Sequence, residues 1–166
     1  MTHDDETQGC RVRYADGRVA LEAWAPGKAE CVAQAVRGLV RDAVWPAAAV
    51  LCVEDVERIE PRSDQDLLAR ALKRAIVPLA QRGLAPADVQ VVEESDGTVT
   101  LALVLVRNAL LRRMPATVDP DDVVLERAGG GWHCHAVITA RPLAPPDEGF
   151  TERGHRRGGS GIGTGG

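Results

Sequence analysis

The chain has 166 residues, of which 45% are hydrophobic and 27% charged, with a formal net charge of −4. That suits one globular domain with a real core, and no apolar run approaches the ~20 residues of a membrane span. The acidic balance gives no bulk attraction to nucleic acid, so only a local basic patch could supply one.

Aromatic residues make up 3% of the chain, so the core must be built from Val, Leu, Ala and Ile. The four cysteines, Cys10, Cys31, Cys52 and Cys134, form no Cys-x-x-Cys pair. They read as reduced, mostly buried thiols of a cytoplasmic protein.

In chain order, residues 1–9 are acidic and polar and read as a disordered leader, neither a signal nor a transit peptide. Residues 10–14 suggest a strand leading to a turn at Asp16-Gly17. Over 19–24 Val19, Leu21 and Ala23 share one face, while Ala20, Glu22 and Trp24 share the other. After Ala25-Pro26-Gly27 the period changes, and Ala29, Val32, Ala33, Val36, Leu39, Val40 and Ala43 recur at helical spacing. Trp45-Pro46 ends this helix, because the residue before proline is pushed out of the helical region.

Residues 50–59 read as a strand, with a break in alternation near Glu54-Asp55 that suggests a bulge. Ser63 then offers an N-cap with an acid, Asp66, at the third helical position. Leu68, Ala71, Leu72, Ala75, Ile76 and Leu79 form the stripe of a second helix. Pro78 should kink or tighten its last turn, and Gly83 should cap it.

Strand signals at 89–92 and 99–106 flank Ser95-Asp96-Gly97, a hairpin pattern. The second of them, VTLALVLV, is apolar on both faces and reads as a central strand. Residues 108–113 fit either a short helix or a connection. A last hairpin joins 123–127 to 132–140 across Gly129-Gly130-Gly131. Its second strand puts Trp132, Cys134, Ala136 and Ile138 on one face, with His133, His135, Val137 and Thr139 on the other. Residues 144–166 are rich in Pro and Gly and read as a disordered tail. The expected fold is α+β, two helices packed on a largely antiparallel β-sheet, in one domain over 10–143.

Signals for chemistry are few. His133 and His135 lie about 7 Å apart on one strand face, a spacing from which both could reach one zinc, but no third ligand is marked. Asp119, Asp121 and Asp122 form an acidic turn without the pattern of a calcium-binding EF-hand loop. The G-x-G-x-x-G at 161–166 lacks a strand before it and a helix after it, so it is no phosphate loop. Arg112-Arg113 and Arg153 with Arg156-Arg157 are small basic clusters without aromatic platforms, and no direct nucleic-acid binding is expected of them. Nothing assembles into a catalytic triad, so the chain does not read as an enzyme. The one enzymatic alternative is a metal-dependent hydrolase built on His133, His135 and the acids of 119–122.

The run LEAWAPGKAECVAQAVRGLV resembles the signature segment of bacterial archeases, a strand ending in an E-A-W-A-P-like turn that enters an E-C-x-x-x-A-V-x-G-L-V-type helix. QDLLARALKRAIVPL, DGTVTLALVL and GGGWHCHAVITA are similar to later archease segments in the same order. The resemblance covers roughly residues 13 to 140. It implies a small α+β accessory factor, not itself an enzyme, that promotes guanylylation and multiple turnover of the RNA ligase of tRNA splicing and RNA repair. It also implies a small acidic calcium site, part of which is a His-Thr-Ala-Asp segment before the first strand and an Asp near the chain end.

This chain departs from the family where that metal would sit. Aligned without a gap, the family tetrapeptide falls on Ala15-Asp16-Gly17-Arg18 and puts Arg18 at the carboxylate position. A two-residue insertion would match Arg13 to Asp16 instead, keeping Asp16 but not the histidine. The late Asp aligns with Thr139, a family Pro-Lys with Met114-Pro115-Ala116, and acidic positions of the second helix with Lys73 and Arg74. Asp16 is thus the one metal ligand carried over, no cofactor is expected, and the implied partner is an RNA ligase. The alternative is a metal-independent interaction or regulatory module that reuses the fold.

Overall fold

The computed structural model describes residues 7–45, 52–107 and 110–143. Their elements are β1 (Gly9–Ala15), β2 (Arg18–Ala25), α1 (Lys28–Ala43), β3 (Cys52–Ile59), α2 (Asp64–Arg82), β4 (Ala85–Glu93), β5 (Val99–Val106), β6 (Arg113–Ala128) and β7 (Gly131–Pro142). The fold is α+β, as the pattern predicts, with antiparallel pairing throughout. There are two sheets, however, where one was expected: β1-β2-β7-β6 and β3-β5-β4.

The reason lies in the helices. The buried residues of α1 run from Cys31 and Val32 through Gly38 to Ala43. At 3.6 residues per turn they span about 220° of its circumference, far wider than the stripe one sheet can cover. Both helices accordingly touch strands of both sheets. One core results, with Leu21 and Ile138 from the first sheet, Leu101 and Leu103 from the second, and Val36 and Leu72 from the helices.

Local chemistry fixes the ends of these elements. Asp16 (φ 53°) and Gly17 (φ 76°) close β1 onto β2, and Gly129 (φ 59°) with Gly130 (φ 84°) closes β6 onto β7. Both are two-residue turns whose positive φ angles match the twist of the strands they join. Gly131, read as part of the second turn, is instead the first residue of β7 and pairs with Ala128. Ser63 Oγ accepts the Asp66 N–H at 3.0 Å, while the Asp66 carboxylate accepts the Arg62 N–H at 2.9 Å, so the start of α2 is capped from both directions. Gly83 ends it in the left-handed region at φ 65°.

Four further expectations change. The suspected bulge at Glu54-Asp55 is not there: β3 pairs with β5 in unbroken register from Cys52 to Ile59. Its alternation is disturbed because Asp55 and Glu57 face inward at a sheet edge and bind Arg74 of α2. Residues 110–112 are not helical, being tied to the end of α1 through Trp45 N–H to Leu110 O (2.8 Å) and Arg112 N–H to Ala43 O (2.7 Å). The strand expected at 123–127 is the end of β6, sixteen residues long. Its middle, Asp119-Pro120-Asp121-Asp122, is a break in register between Val118 and Val123 rather than a connecting turn. Last, the strand expected at 89–92 runs over Ala85–Glu93 and carries its own register shift between Pro86 and Asp88.

Lys28, the first residue of α1, ties several elements together. Its Nζ lies 3.1 Å from the Asp64 carboxylate at the start of α2 and 3.0 Å from Glu93 at the end of β4. It also sits 5.4 Å from the ring centre of Trp132 on β7. The expected tail, 144–166, lies outside the described residues, and β1 begins one residue ahead of the expected domain start.

Candidate functional site

The four-stranded sheet packs one face on the helices and leaves the other open. Strand alternation decides which side chains meet on the open face, and register decides their neighbours. At one end of this face Asp16 sits in the β1–β2 turn, Arg18 opens β2, and Thr139 on β7 is paired directly with Arg18. The Ala140 N–H donates to the Gly17 carbonyl at 2.9 Å, which fixes β7 against the turn. The residues that the resemblance assigns to a metal are therefore brought together. The Pro115 position joins them, since Pro115 pairs with Ala140. Lys73 and Arg74 do not: they lie on α2, where Arg74 Nη2 binds both Asp55 oxygens at 2.8 Å.

The donors at this end do not suit calcium. A hard dication needs several oxygen ligands whose carboxylates offset its dehydration. Arg18 brings a fixed positive charge, Thr139 brings none, and Asp16 is the one acid of the three. Among the described residues no three His, Cys, Asp or Glu side chains are grouped so as to hold a metal ion.

Further along the same face, register supplies a neighbour that sequence spacing could not. Glu22 pairs with His135 and stands two residues from Trp24, the partner of His133, so the two are diagonal neighbours. Its Oε2 lies 3.2 Å from His133 Nε2, and its Oε1 accepts from Arg11 at 3.1 Å. Arg11 also covers the ring of Trp24 at 5.5 Å. The two histidines share a face as predicted, but their acidic neighbour is already engaged by a guanidinium, which competes with any cation. The acids of 119–122 are exposed on β6, and Asp119 accepts the Asp121 N–H at 3.0 Å in a local turn. A hydrolase site of His133, His135 and these acids is not assembled among the described residues.

The arginine pair is structural. Arg112 stacks 4.1 Å from the ring centre of Trp45. Arg113 stacks 4.1 Å from that of Tyr14 and binds Asp42 at 2.6 Å. Arg153, Arg156 and Arg157 lie outside the described residues, as does the 161–166 glycine motif.

Cys10 and Cys134 flank Ala23 in register, and the Cys31 thiol donates to the Ala23 carbonyl at 3.6 Å from above. Cys31 and Cys134 are fully buried, and Cys10 is half-buried. The contact with Cys31, and then burial, push the Cys134 thiol well above the ordinary range, so it stays protonated and unreactive.

An α+β domain with an open polar sheet face and no catalytic constellation among its described residues is what fold and geometry define. No family model matches the chain. Two curated relatives from two strains of Mycobacterium tuberculosis, each described as "Probable protein archease", are 27% identical over 121 residues, covering 71% of this chain and 67% of theirs. The solution structure of Methanobacterium thermoautotrophicum protein 1598 shares the fold at a TM-score of 0.56 and 12% identity, covering 79% of this chain and 98% of that one. The archease resemblance drawn from the E-A-W-A-P turn is thus matched by overall sequence and by architecture, and the chain is archease-like.

Proposed function

We propose that this chain is a non-catalytic, cytoplasmic accessory protein that promotes activation and turnover of an RNA ligase in tRNA splicing or RNA repair, and that it does so without bound calcium. The co-linear segments shared with archeases, and the 27% identity to proteins of that name, are the observation that carries the reading. Arg18 facing Thr139 supports the metal-free part, because a guanidinium and a neutral hydroxyl cannot replace two carboxylates around a dication.

The test is ligase guanylylation and product formation under multiple turnover, with and without this protein, in calcium and in chelator. Stimulation that is indifferent to chelator is expected. No stimulation and no complex with the ligase would overturn the reading, and stimulation lost in chelator would overturn its metal-free part.

A second reading draws on the same Arg18 and Thr139: an interaction or regulatory module that keeps the fold but serves a different partner. Recovery of the ligase as the specific partner from native extract would count against it.

A further inference from the structure

The three-stranded sheet carries a feature unrelated to that function. On β5, Val99, Leu101, Leu103 and Leu105 are buried in the shared core, while Thr100, Ala102 and Val104 point the other way and are half-buried. In register beside them stand Val56, 54% exposed, and Val92, 51% exposed. An antiparallel sheet with one side in water normally alternates apolar and polar, and here the outer face of the central strand is apolar and, among the described residues, uncovered. The chain's own tail is poorly suited to cover it, since 144–166 contain Phe150 and Ile162 as their large apolar side chains.

The rows of this face identify an occupant. From one end to the other they are Arg58–Thr100–Val92, then Val56–Ala102–Gln90, then Glu54–Val104–Asp88. The middle row is uncharged, and on β3 it is flanked by a cation on one side and an anion on the other. A two-fold axis through the middle row, across the strands, places β3 on β3 of the second copy with its direction reversed. Val56 then meets Val56, Arg58 meets Glu54, Glu54 meets Arg58, and Ala102 meets Ala102. The other in-plane axis, along the strands, would set Glu54 against Asp88, two like charges. About the first axis the β3 charges meet with opposite sign, and on β4 Val92 is set against Asp88 at the rim; about the second axis like charges meet, so the first is the axis an isologous interface on this face would use.

We infer that this face packs on the same face of a second copy of the chain, sheet on sheet, with Val56 at the centre. The charges of Glu54 and Arg58 set the register, and β5 supplies the apolar floor. Three strands at ~4.8 Å and eight residues at ~3.3 Å make a patch of about 14 by 26 Å. That is about half the area a standard stable complex buries on each side, so the dimer is a weak, transient one. The inference is independent of the ligase reading.

Sedimentation velocity of the full chain from about 5 to 500 µM brackets the affinity such a small interface supports. Wild type should move from monomer to dimer across that range. Val56→Arg, at an exposed position, should stay monomeric with an unchanged circular dichroism spectrum and melting temperature.

Glu54→Arg alone and Arg58→Glu alone should each weaken self-association at least about tenfold, because like charges then meet at both ends of the seam. A mixture of these two variants should regain a heterodimer, the two arginines of one chain facing the two glutamates of the other. A wild-type chain that is monomeric at the highest concentration overturns the inference. So does a dimer untouched by Val56→Arg, or a mixture that shows no recovery.

Discussion

Lys28 shows how much one side chain can organise. It meets Asp64, Glu93 and the Trp132 ring, joining the starts of both helices to two strands. Burial alone would lower its pKa, but hydrogen bonds and charge from Glu93 and Asp64 outweigh that and raise it above its ordinary value. A raised lysine pKa gives stability that is fully present below the unfolded value, about 10.4, and lost as pH rises through the folded one. The gap in urea midpoint between wild type and Lys28→Met should therefore be constant from neutrality to mild alkali and narrow above that value. A gap unchanged well beyond it would show that packing, rather than charge, gives Lys28 its effect. Arg18 is the counterpart in the proposed function: a guanidinium at the end of the sheet bearing Asp16 and Thr139 opposes a dication there, which is what the metal-free reading rests on.

Among the elements, α2 allows the most direct check on local chemistry. The Ser63 side of its cap is one hydrogen bond, from the Asp66 N–H, and Ser63→Ala should cost about 1 kcal/mol of unfolding free energy, with Ser63→Gly costing only a few tenths. Equal losses for the two variants would point away from the cap. Ser63, Asp16-Gly17, Gly129-Gly130 and Gly83 were legible in the sequence because caps and tight turns depend on residues a few positions apart. The extent of β6 was not, since Pro115 and the acids of 119–122 interrupt its alternation and only pairing with β7 restores it. Nor was the division into two sheets, which follows from how α1 buries a wide arc between them. For the open face, the shared side of His133 and His135 could be read from spacing. Their neighbour Glu22, 111 residues before His133, became visible only once β2 and β7 were in register.

For the whole molecule, net charge proved a poor guide to surface. A chain at −4 still gathers Arg11, Arg13 and Arg18 on one open sheet face, and it leaves an apolar strand on the other sheet. The two open faces are chemically distinct, one lined with arginines and histidines and the other with an apolar central strand between charged neighbours. A sandwich of two narrow sheets around a helical layer thus exposes two outer surfaces for different contacts, while a shared core keeps them in fixed relation.

The exposed side of β5 also bears on how the molecule fails when heated. Residues 99–106 are uncharged, largely β-branched or leucine, and free of proline. That is the kind of window that stacks into intermolecular cross-β structure once its edges open, and Glu54, Arg58 and Asp88 on the neighbouring strands act as gatekeepers only while the sheet is intact. Thermal unfolding at high protein concentration should then be irreversible, with a midpoint that depends on scan rate. Val104→Lys, which adds a charge to the window itself, should raise the fraction recovered in a calorimetric rescan. Full recovery of the wild-type protein would instead mean that the unfolded chain keeps this segment out of reach of other molecules.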